Sequence, residues 1–287
     1  MTGLKRALCG LSDIAAGYDG IFCDVWGVVH DGVTAHQPAV EALAAFRAGG
    51  GRVVLVTNAP RPGHSIVEGL EALNVRPDAY DDVVSSGDVT RALLEQYRGR
   101  TVHRIGQPSD DVLFEGLDLT LGSVEDAAAI AVTDLDSDDD TPADYADRMT
   151  HWLERGLPLI ASNPDKVVEE GGRIIYCGGA LADAYEDRGG RVMMAGKPFN
   201  PIYAHAENLL AAAAGRRIRR EKILAIGDSV RTDAMGAAQY GVDFLFITGS
   251  IHAEELDAFN DPDPKRVADF VSVSRVRMAG FMPRLAW

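Results

Sequence analysis

The feature that most constrains this chain is a repeated phrase: a short, unbroken apolar run that stops at a polar residue and a turn, followed by a stretch with helical spacing. YDGIFCDVWGVV runs apolar to Asp24 and turns at Gly27, GRVVLVTNAPRP stops at Thr57 and Asn58, and KILAIGDS stops at Asp228. Apolar runs without polar alternation are buried on both faces, as strands inside a parallel sheet are. Parallel neighbours need crossovers, and PAVEALAAFRAG, HSIVEGLEAL and GDVTRALLEQYRG supply them as amphipathic helices. With a third strand at DDVVSSG, the opening stretch reads β-α-β-α-β-α, half of a doubly wound α/β sheet.

The texture changes in the middle of the chain. From about Arg100 to Gly190 short strands (AAAIAVTDL, LPLIAS), one clear helix (PADYADRMTHWLERG) and many glycines suggest a separate unit mixing helices and strands. From Arg191 the first pattern returns as VMMAGKP, the helix PIYAHAENLLAAAAG, the strand KILAIGDS, a helix at TDAMGAAQYG and the strand DFLFITGS, with ADFVSVS expected as a last strand. A length of 287 residues suits two units better than one. The expected division is 1–98 for the first part of the core, 99–189 for the inserted unit and 190–287 for the second part of the core.

A formal net charge of −15 makes nucleic acid an unfavourable partner. An acidic protein that handles anions must gather its positive charge locally, from a metal ion, a few Lys or Arg and backbone N–H groups. Cys9, Cys23 and Cys177 lack metal-ligand spacing and fit a reducing compartment, so a cytoplasmic location is expected. The N-terminal stretch has no convincing export signal and no window reads as a membrane span, so no membrane partner is expected.

Four stations carry candidate chemistry, each at an expected strand end. Asp24 is placed to attack phosphorus, although an Asp capping a strand end is the plainer alternative. Thr57 and Asn58 offer a hydroxyl and backbone N–H groups to phosphoryl oxygens, or form a turn before Pro60. Lys197, in Gly196-Lys197-Pro198, is either a charge neutraliser or a solvated lysine. IGDSVRTDAMGA is the most specific, because Asp228 and Asp233 form the oxygen-rich loop that a hard cation needs; an N-cap role for Asp233 is compatible with that.

In this order the four stations resemble the motifs of the haloacid dehalogenase (HAD) superfamily, and the likeness spans nearly the whole chain. TNAPRP, ASNPD, CGGAL, AGKPFNPIY and the GDSxxTDxxGA run are similar to the class IIA, NagD-like branch. Only about thirty residues separate Asp24 from Thr57 but about 140 separate Thr57 from Lys197, which leaves room for a large cap only after the third strand. The resemblance implies a mostly parallel, Rossmann-like core with an inserted α/β cap of the C2 type. It implies a Mg²⁺-dependent phosphatase that turns over a small phosphorylated metabolite (a sugar phosphate, nucleotide or pyridoxal phosphate) through an aspartyl-phosphate. By the same likeness Asp24 is nucleophile and metal ligand, Thr57 binds the phosphoryl group, Lys197 neutralises charge, and Asp228, Asp233 and the backbone carbonyl of Trp26 complete the Mg²⁺ site. A homodimer through the cap is also implied.

The chain departs from its relatives at one position. Their phosphatases carry a second Asp two residues after the nucleophile to protonate the leaving group, whereas this chain reads Asp24-Val25-Trp26. Loss of a general acid costs about 10²- to 10⁴-fold. Three readings follow: a phosphatase in which water, His30 or Asp31 replaces the acid; a regulatory protein that binds a phosphorylated metabolite without useful turnover; or a dehalogenase or phosphonate hydrolase. The acidic pair Asp228 and Asp233 and the cap's position argue against the last.

Four weaker features complete the inventory. TDLDSDDD, with Asp134, Asp136, Asp138, Asp139 and Asp140, lacks the Gly and Glu of a calcium loop and reads as a solvated acidic loop. Asn163, Asp165 and Gly179 are candidate substrate-binding residues of the cap, with simple turns as the alternative. Arg61 either binds a second anionic group or sits on the surface. Arg216, Arg217, Arg219 and Arg220 read as a solvated basic loop.

Overall fold

The computed structural model describes residues 7–170, 173–258 and 262–287, so Lys5 and Arg6 of the N-terminal stretch lie outside the described residues. In chain order the first elements are β1 (Gly20–Cys23), α1 (Gln37–Ala48), β2 (Arg52–Thr57), α2 (Gly63–Ala72) and β3 (Asp82–Ser85). Then come α3 (Ser86–Leu94), β4 (Thr101–Ile105), β5 (Thr120–Leu121), β6 (Ala129–Val132), α4 (Ala146–Glu154), β7 (Leu159–Ala161), β8 (Val167–Glu170), β9 (Arg173–Tyr176), α5 (Gly178–Glu186) and β10 (Val192–Met194). The last are α6 (Asn200–Ala214), β11 (Ile223–Gly227), α7 (Met235–Tyr240), β12 (Asp243–Ile247), α8 (Ala253–Leu256), α9 (Pro264–Val271) and β13 (Arg277–Met282).

The chain divides into two compact units. The first runs to Thr57 and adds Ile66–Val84 and Lys197–Trp287; the second comprises Asn58–Ser65 and Ser85–Gly196. The first unit holds a sheet ordered β13-β12-β11-β1-β2-β3, in which β1 pairs parallel with both β11 and β2, and β12 with both β11 and β13. β1 and β11 are buried along their whole length, as their unbroken apolar sequences require. On one face Val40, Leu43 and Phe46 of α1 and Leu70 of α2 share a core with Ile21, Cys23, Val53, Leu55, Leu224 and Ile226. On the other, Tyr203 of α6 and Tyr240 of α7 meet Phe22. Helices on both faces of a parallel sheet make the unit doubly wound. The strand order reverses between β1 and β11, and it is at such a switch point, beyond the carboxyl ends of the strands, that open α/β sheets bind ligands.

The second unit has its own parallel sheet, ordered β10-β7-β6-β4-β5, and an antiparallel pair of β8 and β9. Alternate residues of β6 serve two cores: Ile130 and Val132 pack with Trp152 and Tyr185, Ala129 and Ala131 with Leu94 and Phe114. α3 starts from a reciprocal capping box between Ser85 and Asp88.

Two expectations are corrected. ADFVSVS is not a strand: Ala268–Val271 close α9, whose apolar residues Val267 and Val271 lie four apart on one helical face, and the edge strand is β13. VMM belongs to the second unit's sheet, where it pairs with β7, so the core resumes at Lys197. A three-residue apolar run carries no mark of which sheet it joins. Residues 85–98 and 190–196, expected in the core, likewise group with the second unit.

Candidate active site

Register places the first unit's stations together. Cys23 lies beside Ile226 on β11 and beside Leu55 on β2, so Asp24, Asp228 and Thr57 all leave at the carboxyl ends of three neighbouring strands. Asp24 N–H still donates to Ile226 O at 2.8 Å, which holds the residue in line with the sheet. Beyond β11 the chain makes a π-helical turn over Val230–Ala234. Ser229 caps it by accepting from Thr232 N–H, so the N-cap imagined for Asp233 belongs to Ser229. Asp233 instead turns its carboxylate back, accepting from Ser229 N–H at 3.2 Å and pairing with Lys197.

Lys197 is buried between two carboxylates, its Nζ 2.6 Å from Asp24 Oδ1 and 2.8 Å from Asp233 Oδ1. Burial works against its charge, but Asp233 and Asp24 outweigh it and raise the lysine well above its ordinary value. Asp24, Asp228 and Asp233 each bring one oxygen to a cluster whose atoms all lie within 4.8 Å of one another. Burial, followed by repulsion from Asp24 and Asp233, pushes Asp228 well up, and burial followed by Asp24 pushes Asp233 up. Three buried carboxylates against one ammonium leave an excess of negative charge that protons or a cation must balance. All-oxygen donors in that number suit a hard divalent ion such as Mg²⁺. Among the described residues this is the one such cluster of acidic, His or Cys groups.

Sequence reasoning read Gly27 only as a turn and missed Ser250. Gly27 has φ +79°, and a Cβ on it would fall 2.0 Å from Asp228 Oδ2 and 2.4 Å from Ser250 Oγ. Only glycine lets the chain turn this close to the carboxylate. Ser250, beyond the end of β12, is a hydrogen-bond partner of Asp228 and lowers its pKa against the stronger effect of burial. A lone serine in an ITGS turn gives no signal of that in sequence.

The flap after the nucleophile is also defined. Trp26 bridges to His30 and His30 to Ala35. Asp31 accepts from Val33 N–H at 3.0 Å and Thr34 N–H at 2.7 Å, and the Thr34 N–H, then that of Val33, hold its pKa down at about 2. Both donors favour the ionised form of Asp31. His30 accepts the Gly32 N–H on Nδ1 at 2.9 Å, and burial lowers its pKa.

The remaining predicted residues gather in the second unit. Asn58 Nδ2 donates to Asp165 Oδ1 at 3.3 Å, Asp165 N–H donates to Asn163 Oδ1 at 3.0 Å, and Gly179 N–H donates to Asp165 O at 3.1 Å. Arg61 pairs with Asp110 at 3.6 Å. The acidic loop is not simply solvated: Asp136 pairs with Arg148, Asp138 accepts from Gln107 Nε2 and Asp140 from Tyr145 Oη. The basic loop is anchored too, with Arg216 on Asp19 and both Arg217 and Arg220 on Glu207.

Comparison with known proteins agrees with the geometry. Residues 21–120 match the family described as haloacid dehalogenase-like hydrolase, and residues 194–273 match a second HAD-hydrolase-like family. A solved hydrolase of the haloacid dehalogenase-like family from Brucella suis 1330 is 41% identical, covers 96% of this chain and 98% of its own, and superposes with a TM-score of 0.85. The ribonucleotide monophosphatase NagD of Escherichia coli (strain K12) is 26% identical over 251 residues, 83% of this chain and 91% of that protein. A glycerol phosphate phosphatase from Mycobacterium tuberculosis, solved in complex with magnesium, shares the fold at a TM-score of 0.65 and 23% identity, covering 87% of this chain and 74% of that one.

Proposed function

The chain belongs to the haloacid dehalogenase-like hydrolase family, and from that premise we propose that it is a Mg²⁺-dependent phosphomonoester hydrolase of the NagD-like branch, acting on a small phosphorylated metabolite. The observation that carries this is the meeting of Asp24, Asp228 and Asp233 with Lys197 at the ends of neighbouring strands. In this reading an Asp24 oxygen bonds to phosphorus as the ester P–O bond breaks, giving an aspartyl-phosphate. Water then attacks that phosphorus, releasing inorganic phosphate and restoring the carboxylate. Lys197 offsets charge on Asp24 and on the transferring group, and the Thr57 hydroxyl holds a phosphoryl oxygen.

Asp24, Asp228, Asp233 and the Trp26 carbonyl would hold the cation, which supplies Lewis-acid stabilisation of charge on the phosphoryl oxygens when bound. Ser250 keeps Asp228 oriented for that role.

The test is phosphate release from aryl and alkyl phosphates by the purified chain, with Mg²⁺ or with EDTA, beside Asp24→Asn. Turnover that needs Mg²⁺ and vanishes in Asp24→Asn is expected. Equal activity in the variant would remove Asp24 from the chemistry, and no release from any ester would leave the site without this activity.

A further inference from the structure

In the chain, Trp26 stands between two residues of the carboxylate site. Asp24 precedes it by two residues, and Gly27, directly after it, is pressed against Asp228. The indole is held in place: a Cβ on Gly32, where φ is +91°, would lie 2.4 Å from Trp26 Cη2, and the His30 ring meets it edge-on at 5.4 Å and 72°. Even so, 45% of the residue is exposed. A large ring that is braced by its own loop and still half open is a surface on which another planar group can stack at little cost in entropy.

The same flap supplies no ready proton. An indole N–H is not a general acid. The Asp31 carboxylate receives the N–H groups of Val33 and Thr34 and the Thr34 hydroxyl, which favour its ionised form. His30 accepts the Gly32 N–H on Nδ1, which keeps the ring neutral with its proton on Nε2, and a neutral imidazole N–H is a far weaker acid than an imidazolium. An alkoxide leaves slowly when nothing protonates it, whereas a phenolate or similarly stabilised anion leaves unaided.

These two properties select the same class of substrate. We propose that Trp26 is a specificity-determining residue and that the physiological substrate is a phosphate monoester of an aromatic or heteroaromatic hydroxyl, whose ring stacks on the indole. This deepens the phosphomonoesterase reading and rests on it. The Asp24 O–P bond forms, the P–O(aryl) bond breaks, its electron pair stays on the aryl oxygen, and the departing anion takes its proton from solvent.

The experiment measures kcat/KM of the full chain with Mg²⁺ for 4-nitrophenyl phosphate, phenyl phosphate, glycerol phosphate and acetyl phosphate, the last a good leaving group without a ring. In the wild type the rate should fall steeply as leaving-group pKa rises. Trp26→Asp should raise glycerol phosphate hydrolysis about 10²-fold by restoring an acid. Trp26→Leu should keep the steep dependence but cut the preference for 4-nitrophenyl over acetyl phosphate about 2- to 10-fold. Should Trp26→Asp not fold, the wild-type series and Trp26→Leu still decide. A shallow dependence in the wild type, or an unchanged aryl preference in Trp26→Leu, overturns the proposal while leaving the phosphatase reading intact. Absence of turnover with every ester, or full activity in Asp24→Asn, instead removes the reading on which it stands.

Discussion

Lys197 Nζ lies 2.6 Å from Asp24 Oδ1, although 173 positions of sequence separate them. The contact exists because the chain enters the first unit's sheet at β1, leaves it for the second unit, and returns at Lys197. The pair is buried and shares its lysine with Asp233, so one ammonium answers two carboxylates while Asp228 stands beside them. Its stability then depends on what else brings positive charge.

On the proposed metal site that dependence is measurable. Mg²⁺ at about 100 times its Kd should stabilise the protein by about 2.7 kcal/mol, and EDTA should remove the gain. Asp228→Asn deletes one of the three repelling charges, so it should weaken Mg²⁺ affinity at least about tenfold while making the metal-free protein more stable. Thermal melts with EDTA and with a Mg²⁺ series distinguish the two effects. An unchanged Mg²⁺ response in Asp228→Asn would place the ion elsewhere.

Gly27→Ala should damage the site more than the fold. Its Cβ has no room beside Asp228 Oδ2 and Ser250 Oγ, and the backbone sits at φ +79°. The expected result is a loss of about 1–3 kcal/mol in stability and a larger relative loss of Mg²⁺ affinity, because the neighbour that must yield is a proposed ligand of the ion. Calorimetric Mg²⁺ titration of the folded variant checks this; wild-type affinity would show that Asp228 can move aside freely.

Much of this was legible in sequence for a simple reason. Parallel strands buried on both faces write themselves as apolar runs, and the residue that ends each run sits at the sheet's carboxyl edge, so the sequence alone places Asp24, Thr57 and Asp228 there. What was illegible depends on three-dimensional neighbours. VMM carries no mark of the sheet that β10 joins, Ser250 is one hydroxyl in a turn, and the anchoring of Arg217 and Arg220 needs Glu207 from a different turn of chain. ADFVSVS reads as a strand from its β-branched residues and Phe, whereas Pro264 in the first turn and the Asp263 cap start a helix.

Glu207 should be a stability residue without a role in turnover. Its carboxylate accepts from Tyr240 Oη, from Arg217 Nε and Nη2 and from Arg220 Nε, and Arg220 lies 3.8 Å over the Tyr240 ring. Burial pushes its pKa up, but the Tyr240 hydroxyl and the two guanidiniums hold it below the ordinary glutamate value. A depressed carboxylate contributes stability above its unfolded pKa and loses it as pH falls through the folded one. Glu207→Gln should cost about 1–2 kcal/mol at pH 7, less than a sealed pair because both arginines reach solvent, and the difference from wild type should shrink in acid. Denaturant melts at pH 7 and pH 4 test it, and a difference that grows in acid would contradict the assignment.

Asp134 should show the opposite pH dependence. Burial, then the nearby Asp110 carboxylate, raises its pKa to about 7, although the Leu135 and Gly178 N–H groups partly oppose the shift. Between about pH 4 and pH 7 the folded protein holds a proton there that the unfolded chain has released. The native state thus binds more protons, and stability must fall as pH rises through this window, by up to about 4 kcal/mol from this group alone. Asp134→Asn keeps the shape and removes the titration, so its advantage over wild type should grow from pH 5 to pH 8. Trp152, buried in the core cluster that also holds Leu135 and Tyr145, gives a fluorescence signal for unfolding of this unit. Parallel pH profiles for wild type and Asp134→Asn would mean that the carboxylate is ionised in the fold, satisfied by its two backbone donors despite its burial.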